Sequence, residues 1–192
     1  MDIRQTLWAV IREIIQTALV SLAIFLFVYV FLVQPHRVKG ESMLPNFSDG
    51  ELLLTEKVSY YFSKPARGDV IVFEAPNAHK VDFIKRIVGL PGETVSIENE
   101  TVEINGHPLS ENYTNSATQG NSTITLDQNQ YFVLGDNRNS SSDSRSFGPI
   151  NKSSFRGRAW LVYWPIIKTG GSMGVRFVSK REYSIPDTLN DF

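Results

Sequence analysis

A mainly β architecture, an antiparallel sheet or distorted barrel carried behind a single N-terminal membrane-spanning helix, is the fold this sequence predicts. Three observations predict it. One uncharged run of 21 residues, Ile14 to Gln34, stands near the N-terminus. A series of short β-branched and aromatic runs separated by turn signals follows it. No 3.6-residue amphipathic pattern of useful length interrupts that series. At 192 residues the chain is long enough for one domain with a core and too short for two full ones.

The uncharged run is bounded by Arg12 and Glu13 before it and by His36, Arg37 and Lys39 after it. A helix of that length rises ~31 Å, which matches the hydrocarbon core of a bilayer. A cleaved secretory leader fits less well, because the run is too long and no small-x-small pattern follows it. Pro35 disfavours helical backbone at Gln34 and so marks the expected helix end. The expected organisation is therefore residues 1–13 on one side of a membrane, a spanning helix over 14–34, and a β-rich domain over 36–192. Lysine and arginine do not set its direction, because Arg4 and Arg12 on one side face Arg37 and Lys39 on the other.

Within the β-rich part, strands are expected at 51–58, 69–75, 81–89, 93–99, 101–106, 130–136 and 158–164. Turn signals separate them at Asp49-Gly50, Arg67-Gly68-Asp69, Leu90-Pro91-Gly92 and Asn105-Gly106. Residues 107–129, rich in Asn, Ser, Thr and Gln, read as a polar surface insert. The Ser-rich stretch 136–148 has the composition of a linker but not its charges, since Asp136, Arg138, Asp143 and Arg145 are interleaved in it. After Pro165 the chain is Gly-rich and then polar.

Composition excludes several chemistries. With no Cys there is no disulfide framework, no cysteine nucleophile and no thiolate metal site. His36, His79 and His107 lack ligand spacing, so no metal site is expected. A formal net charge of −1 with no basic run argues against nucleic acid as a partner.

Two segments stand out by residue type. Gly40-Glu41-Ser42-Met43-Leu44-Pro45 places a serine in a Gly/Pro-bounded turn, where a hydroxyl and its own backbone N–H can face one point, as an acyl-transfer nucleophile requires. Ordinary turn serines share that setting. In Phe83-Ile84-Lys85-Arg86-Ile87-Val88-Gly89 the period-2 alternation sends the two cations to opposite faces, so one of them faces the apolar side. A lysine so placed loses its charge readily and can serve as a base. The alternative is a solvated lysine guarding a sheet edge.

Taken in order, Gly40-x-Ser42-Met43-x-Pro45, Gly68-Asp69-Val70-Ile71-Val72, the run Lys85 to Glu93, and Gly135-Asp136-Asn137-Arg138-x-x-Ser141-x-Asp143-Ser144-Arg145-x-x-Gly148 resemble the boxes of bacterial type I signal peptidases. The resemblance runs from the membrane helix to about Trp164, and it is to the short, singly anchored form typical of Gram-positive bacteria. It implies a membrane-anchored serine endopeptidase without cofactor that cleaves signal peptides from preproteins after small residues at −1 and −3. Ser42 then matches the nucleophile and Lys85 the general base, with an acyl-enzyme between them. Ser141 matches the serine whose hydroxyl bonds and orients that lysine, and Asp143 and Arg145 match residues that hold the loop. An Asp136–Arg86 ion pair is expected alongside. Where many Gram-negative relatives have a serine that contributes to the oxyanion hole, this chain has Gly40, leaving the Ser42 N–H and one further donor. Glu41 is expected to face solvent.

By the same analogy the substrate adds a strand between Val38–Glu41 and Asp82–Lys85, with Val38 and Ile84 as pocket walls. The resemblance also implies a cytoplasmic N-terminus, an extracytoplasmic β domain, a bilayer as partner and a secretion translocon nearby. Tyr60, Tyr61, Phe62, Trp160, Tyr163 and Trp164 are candidates for an interfacial aromatic patch, with core packing the preferred expectation for Trp160. Of six Asn-x-Ser/Thr sequons, those at Asn46 and Asn139 fall inside the boxes, where a glycan would block the groove.

Overall fold

The computed structural model describes residues 3–76, 80–167 and 174–178. His79 and most of the tail beyond Ile167 lie outside them. Helix α1 (Ile3–Phe27) continues into a π-helical turn, Val28–Leu32. Strands β1 (Val33–Arg37) and β2 (Leu52–Glu56) and the single turn α2 (Ser59–Phe62) follow. After them come β3 (Val70–Glu74), β4 (Asp82–Gly89), β5 (Thr94–Glu98), β6 (Thr101–Ile104), β7 (His107–Pro108), β8 (Ser122–Thr125) and β9 (Gln130–Leu134). The described chain closes with α3 (Ser144–Phe147), β10 (Ile150–Asn151), β11 (Phe155–Trp164) and β12 (Arg176–Phe177).

Two antiparallel sheets result. The larger has the order β1-β2-β11-β3-β4-β9-β10, with β12 added to β11, and the smaller has the order β7-β6-β5-β8. All seven strands expected from the sequence form. β3 shows why its run is continuously apolar: Val70 and Val72 pack with Val38, Met43, Phe47 and Leu53, whereas Ile71 and Phe73 pack with Ile87 and Val133 on the opposite face. A strand covered on both faces needs apolar residues at every position.

Two boundaries depart from expectation. The helix is longer at its start than the uncharged run, because Arg12 and Glu13 project from an exposed helix without breaking it. It ends before Gln34, since Val33 and Gln34 already pair with Glu56 and Thr55 of β2. From Arg4 to Leu32 it is apolar and long enough to cross a bilayer, and none of its hydrophobic window is buried among the described residues. Residues 107–129 are not a mere surface insert. They supply both edge strands of the smaller sheet and bury Leu109, Tyr113, Thr118 and Leu126. Their polar composition hid this because β7 and β8 are short and exposed, and only isolated side chains turn inward.

Trp160 is a further departure. It is 40% exposed, its ring 5.9 Å from that of Phe177 on the edge strand β12 and tilted by 50° to it, rather than placed in the core. Tyr61 and Phe62 are exposed on α2, and Trp164 is half exposed at the end of β11.

Candidate active site

Ser42 lies in the turn after β1 and its extension Val38, held in shape by Leu44 N–H to Glu41 O and Phe47 N–H to Met43 O. Met43 and Phe47 are buried beneath the turn and anchor it to the core. Gly40 enters it with φ 81°, a conformation that favours glycine, and its N–H donates to Asp49 Oδ1 at 2.7 Å. A Cβ there would meet nothing within 4 Å, so backbone conformation rather than crowding calls for glycine. Glu41 is exposed, as expected.

Lys85 and Arg86 project to opposite faces of β4, yet both are buried, at 4% and 2% exposure. Lys85 is therefore no solvated edge residue. Its Nζ lies 2.7 Å from Ser42 Oγ and donates to the Ile84 carbonyl at 2.9 Å. In the charged state Nζ donates to Oγ; once neutral, the amine lone pair accepts from the serine hydroxyl, the polarity needed to activate a nucleophile. Burial lowers its pKa from 10.5 to about 8, against the opposing pull of Asp143 and Asp136.

A cavity of about 250 Å³ opens beside the pair, lined among others by His36, Val38, Ser42, Val72, Ile84 and Lys85. β9 pairs with β4 only from Arg86 onward, so residues 82–85 have a partner, β3, on one side alone. The open edge faces that cavity, with Val38 across it. The Ser42 N–H makes no hydrogen bond among the described residues and stands free next to the hydroxyl.

The segment after β9 clamps this arrangement from behind. Asn137 N–H donates to Ser42 O at 3.0 Å, and its Nδ2 donates to Glu41 O at 3.1 Å. Asp136, wholly buried, accepts from Arg86 Nε at 2.7 Å and Nη2 at 2.6 Å, the expected pair in bidentate form. The same carboxylate accepts from Asn46 Nδ2 at 2.8 Å, which places the Asn46 sequon out of reach of any glycan in the folded chain. Asp143 caps α3, accepts from Gly135 N–H at 3.1 Å and pairs with Arg145 at 2.8 Å, so these two residues brace the loop.

Ser141 departs from expectation. Its Oγ is buried with no hydrogen-bond partner among the described residues, and the bond to Lys85 is not formed. The amine instead spends its contacts on Ser42 and Ile84, while Ser141 is wedged against Gly135. A Cβ on Gly135 would fall 2.2 Å from Ser141 Oγ and 2.5 Å from Ser42 O. Gly135→Ala is accordingly expected to displace the turn that carries Ser42. It should cut activity at least about tenfold, because small misplacements of reacting groups carry large rate effects, read as kcat with a thermal midpoint alongside.

Sequence reasoning did not single out Tyr113 and Glu111. The Arg86 guanidinium sits 4.4 Å over the Tyr113 ring and that of Arg138 at 5.8 Å, while Arg138 pairs with Glu111 at 2.5 Å. Tyr113 also accepts Asn46 Nδ2 at its carbonyl, at 2.7 Å. The Arg86–Asp136 pair is the one expected from the sequence, whereas Tyr113 and Glu111 come from a stretch whose composition reads as surface.

Residues 11–164 match a family model described as signal peptidase, peptidase S26. A probable signal peptidase I-1 of Synechocystis is 36% identical over 91% of this chain and 93% of its own. A signal peptidase I of Leptolyngbya laminosa is 39% identical over 83% of each. A crystal structure of a signal peptidase I from Enterococcus faecalis V583 is 38% identical, covering 50% of this chain and 97% of that one, with a TM-score of 0.45.

Proposed function

Because the chain belongs to the signal peptidase, peptidase S26, family, a group of serine peptidases, we propose that it is a membrane-anchored endopeptidase that removes signal peptides from preproteins through Ser42 and Lys85. The 2.7 Å contact between Lys85 Nζ and Ser42 Oγ beside an open strand edge carries this reading. Neutral Lys85 accepts the Ser42 proton as Oγ attacks the carbonyl of the −1 residue, and the Ser42 N–H receives the developing oxyanion. The resulting ammonium protonates the departing amine, leaving an acyl-enzyme. Lys85, neutral again, then draws a proton from water, which attacks the ester and frees the signal peptide. Ser141 is the proposed third contact of the lysine during these transfers, with Asp143 and Arg145 bracing the loop that carries it.

The signal peptide is proposed to add an extended strand between Val38–Glu41 and the open edge at Asp82–Lys85. Side chains at −1 and −3 then point to the same face, toward Val38 and Ile84. A preprotein with Ala at both positions is cleaved, and replacing the −1 Ala by Leu lowers kcat/KM by on the order of 10²-fold. Equal cleavage of both would remove the groove assignment.

α1 is proposed to span the bilayer with the N-terminus cytoplasmic and the β domain extracytoplasmic, near the translocon from which preproteins emerge. No nucleic acid takes part.

The pH dependence follows from the sign of the Lys85 shift. Below about 8 the lysine is protonated and cannot accept the Ser42 proton; above it the free base prevails. Log kcat/KM is expected to rise with pH up to about 8 and then level, and a profile flat into acid would contradict the assignment.

A further inference from the structure

A second cavity, of about 650 Å³, lies at the membrane-proximal end of the domain, and nothing in the proposed chemistry uses it. Lys57, Lys80, Lys152 and Arg156 line it, against one carboxylate, Asp82. Arg156 is already engaged, with Asp82 at 3.3 Å and with Glu74. The three lysines have no carboxylate partner among the described residues. Lys57 Nζ donates to Val30 O at 3.1 Å, Lys152 Nζ reaches Tyr60 O at 3.5 Å, and none of the three is in an ion pair among the described residues.

Its position is set by the anchor. Lys57 N–H donates to Leu32 O at 3.0 Å, so the cavity abuts the last turn of the apolar helix. If residues 14–32 fill the hydrocarbon, at ~1.5 Å rise per residue, the cavity sits at the depth of the lipid phosphates. Beside it Tyr61 and Phe62 are 79% and 86% exposed, amphipathic and apolar rings at the level where such rings favour the interface.

We propose that this cavity binds the phosphate of an anionic phospholipid headgroup, with Lys57, Lys80 and Lys152 as its cations. The assignment rests on the bilayer reading of α1. Asp82 lines both cavities, so the bound headgroup would lie next to the upstream end of the substrate groove.

The test uses the full-length chain in a non-ionic detergent, titrated with dihexanoyl phosphatidylglycerol, dihexanoyl phosphatidylcholine or inorganic phosphate and followed by 31P NMR. Phosphatidylglycerol is expected to bind saturably and at least tenfold more tightly than phosphatidylcholine. Lys57→Gln/Lys152→Gln should weaken it at least tenfold, and Lys64→Gln, an exposed lysine not among those lining the cavity, should not. Unchanged affinity in the double variant, or equal binding of the two lipids, overturns the proposal. Inorganic phosphate binding as tightly as the lipid overturns the lipid assignment in favour of a free-phosphate site. A double variant that alters only the cleavage of substrates with an acidic residue upstream of −3 overturns it in favour of a substrate contact. Ser42→Ala protein binds the lipid as wild type does, so loss of cleavage and loss of lipid binding are read separately.

Discussion

Ser42→Ala and Lys85→Met each abolish preprotein cleavage by the detergent-solubilised full-length chain, with kcat/KM falling at least roughly 10³-fold. The two groups act as one unit across 2.7 Å, so the double variant is no slower than either single one. Methionine retains the unbranched apolar stem of the lysine among Phe83 and its neighbours while removing the amine. Lys85→Met is therefore expected to keep or raise the thermal midpoint, because a desolvated amine is replaced by a group that burial suits. Loss of activity with a retained midpoint separates chemistry from folding. Wild-type rates in either variant would falsify the dyad.

Arg86→Met produces the largest expected loss of stability. It leaves the Asp136 carboxylate, 0% exposed, with Asn46 Nδ2 but without its bidentate cation, and it leaves the Gly68 carbonyl without a donor. Breaking one side of a buried pair costs about 3–5 kcal/mol. For a domain of this size that is a midpoint lower by roughly 10 °C, measured by thermal unfolding in detergent. Arg86→Lys is not a rescue, since an ammonium cannot reproduce both parallel hydrogen bonds or lie flat over the Tyr113 ring. Activity falls with stability here, because Asp136 and Asn137 are consecutive, and Asn137 holds the carbonyls of Glu41 and Ser42. A midpoint unchanged in Arg86→Met would show that the pair contributes nothing net.

The strand series and the apolar helix were readable because each rests on local periodicity. Every residue of the helix's uncharged run is apolar or neutral, and strands such as Val70–Glu74 concentrate β-branched and aromatic residues between turn signals. The strand Val33–Arg37 was not readable. It follows the helix without a break and contains Gln, Pro, His and Arg, and it is a strand because β2 offers its edge to it. β7 and β8 were missed for the same reason, since a neighbour's hydrogen bonds impose them on polar residues.

By itself the sequence determined the family, the long apolar helix, seven strands and the candidacy of Ser42 and Lys85, because motif spacing and hydrophobic period are properties of neighbouring residues. Tertiary structure alone decided that both adjacent cations are buried. It also decided that Ser141 Oγ is left without a hydrogen-bond partner among the described residues and that Tyr113 and Glu111 belong to the support of the site. These outcomes depend on groups 27 to 90 positions apart in the chain, brought together by sheet register, and on the dielectric they create by excluding water. No local pattern encodes such a distance or such a burial.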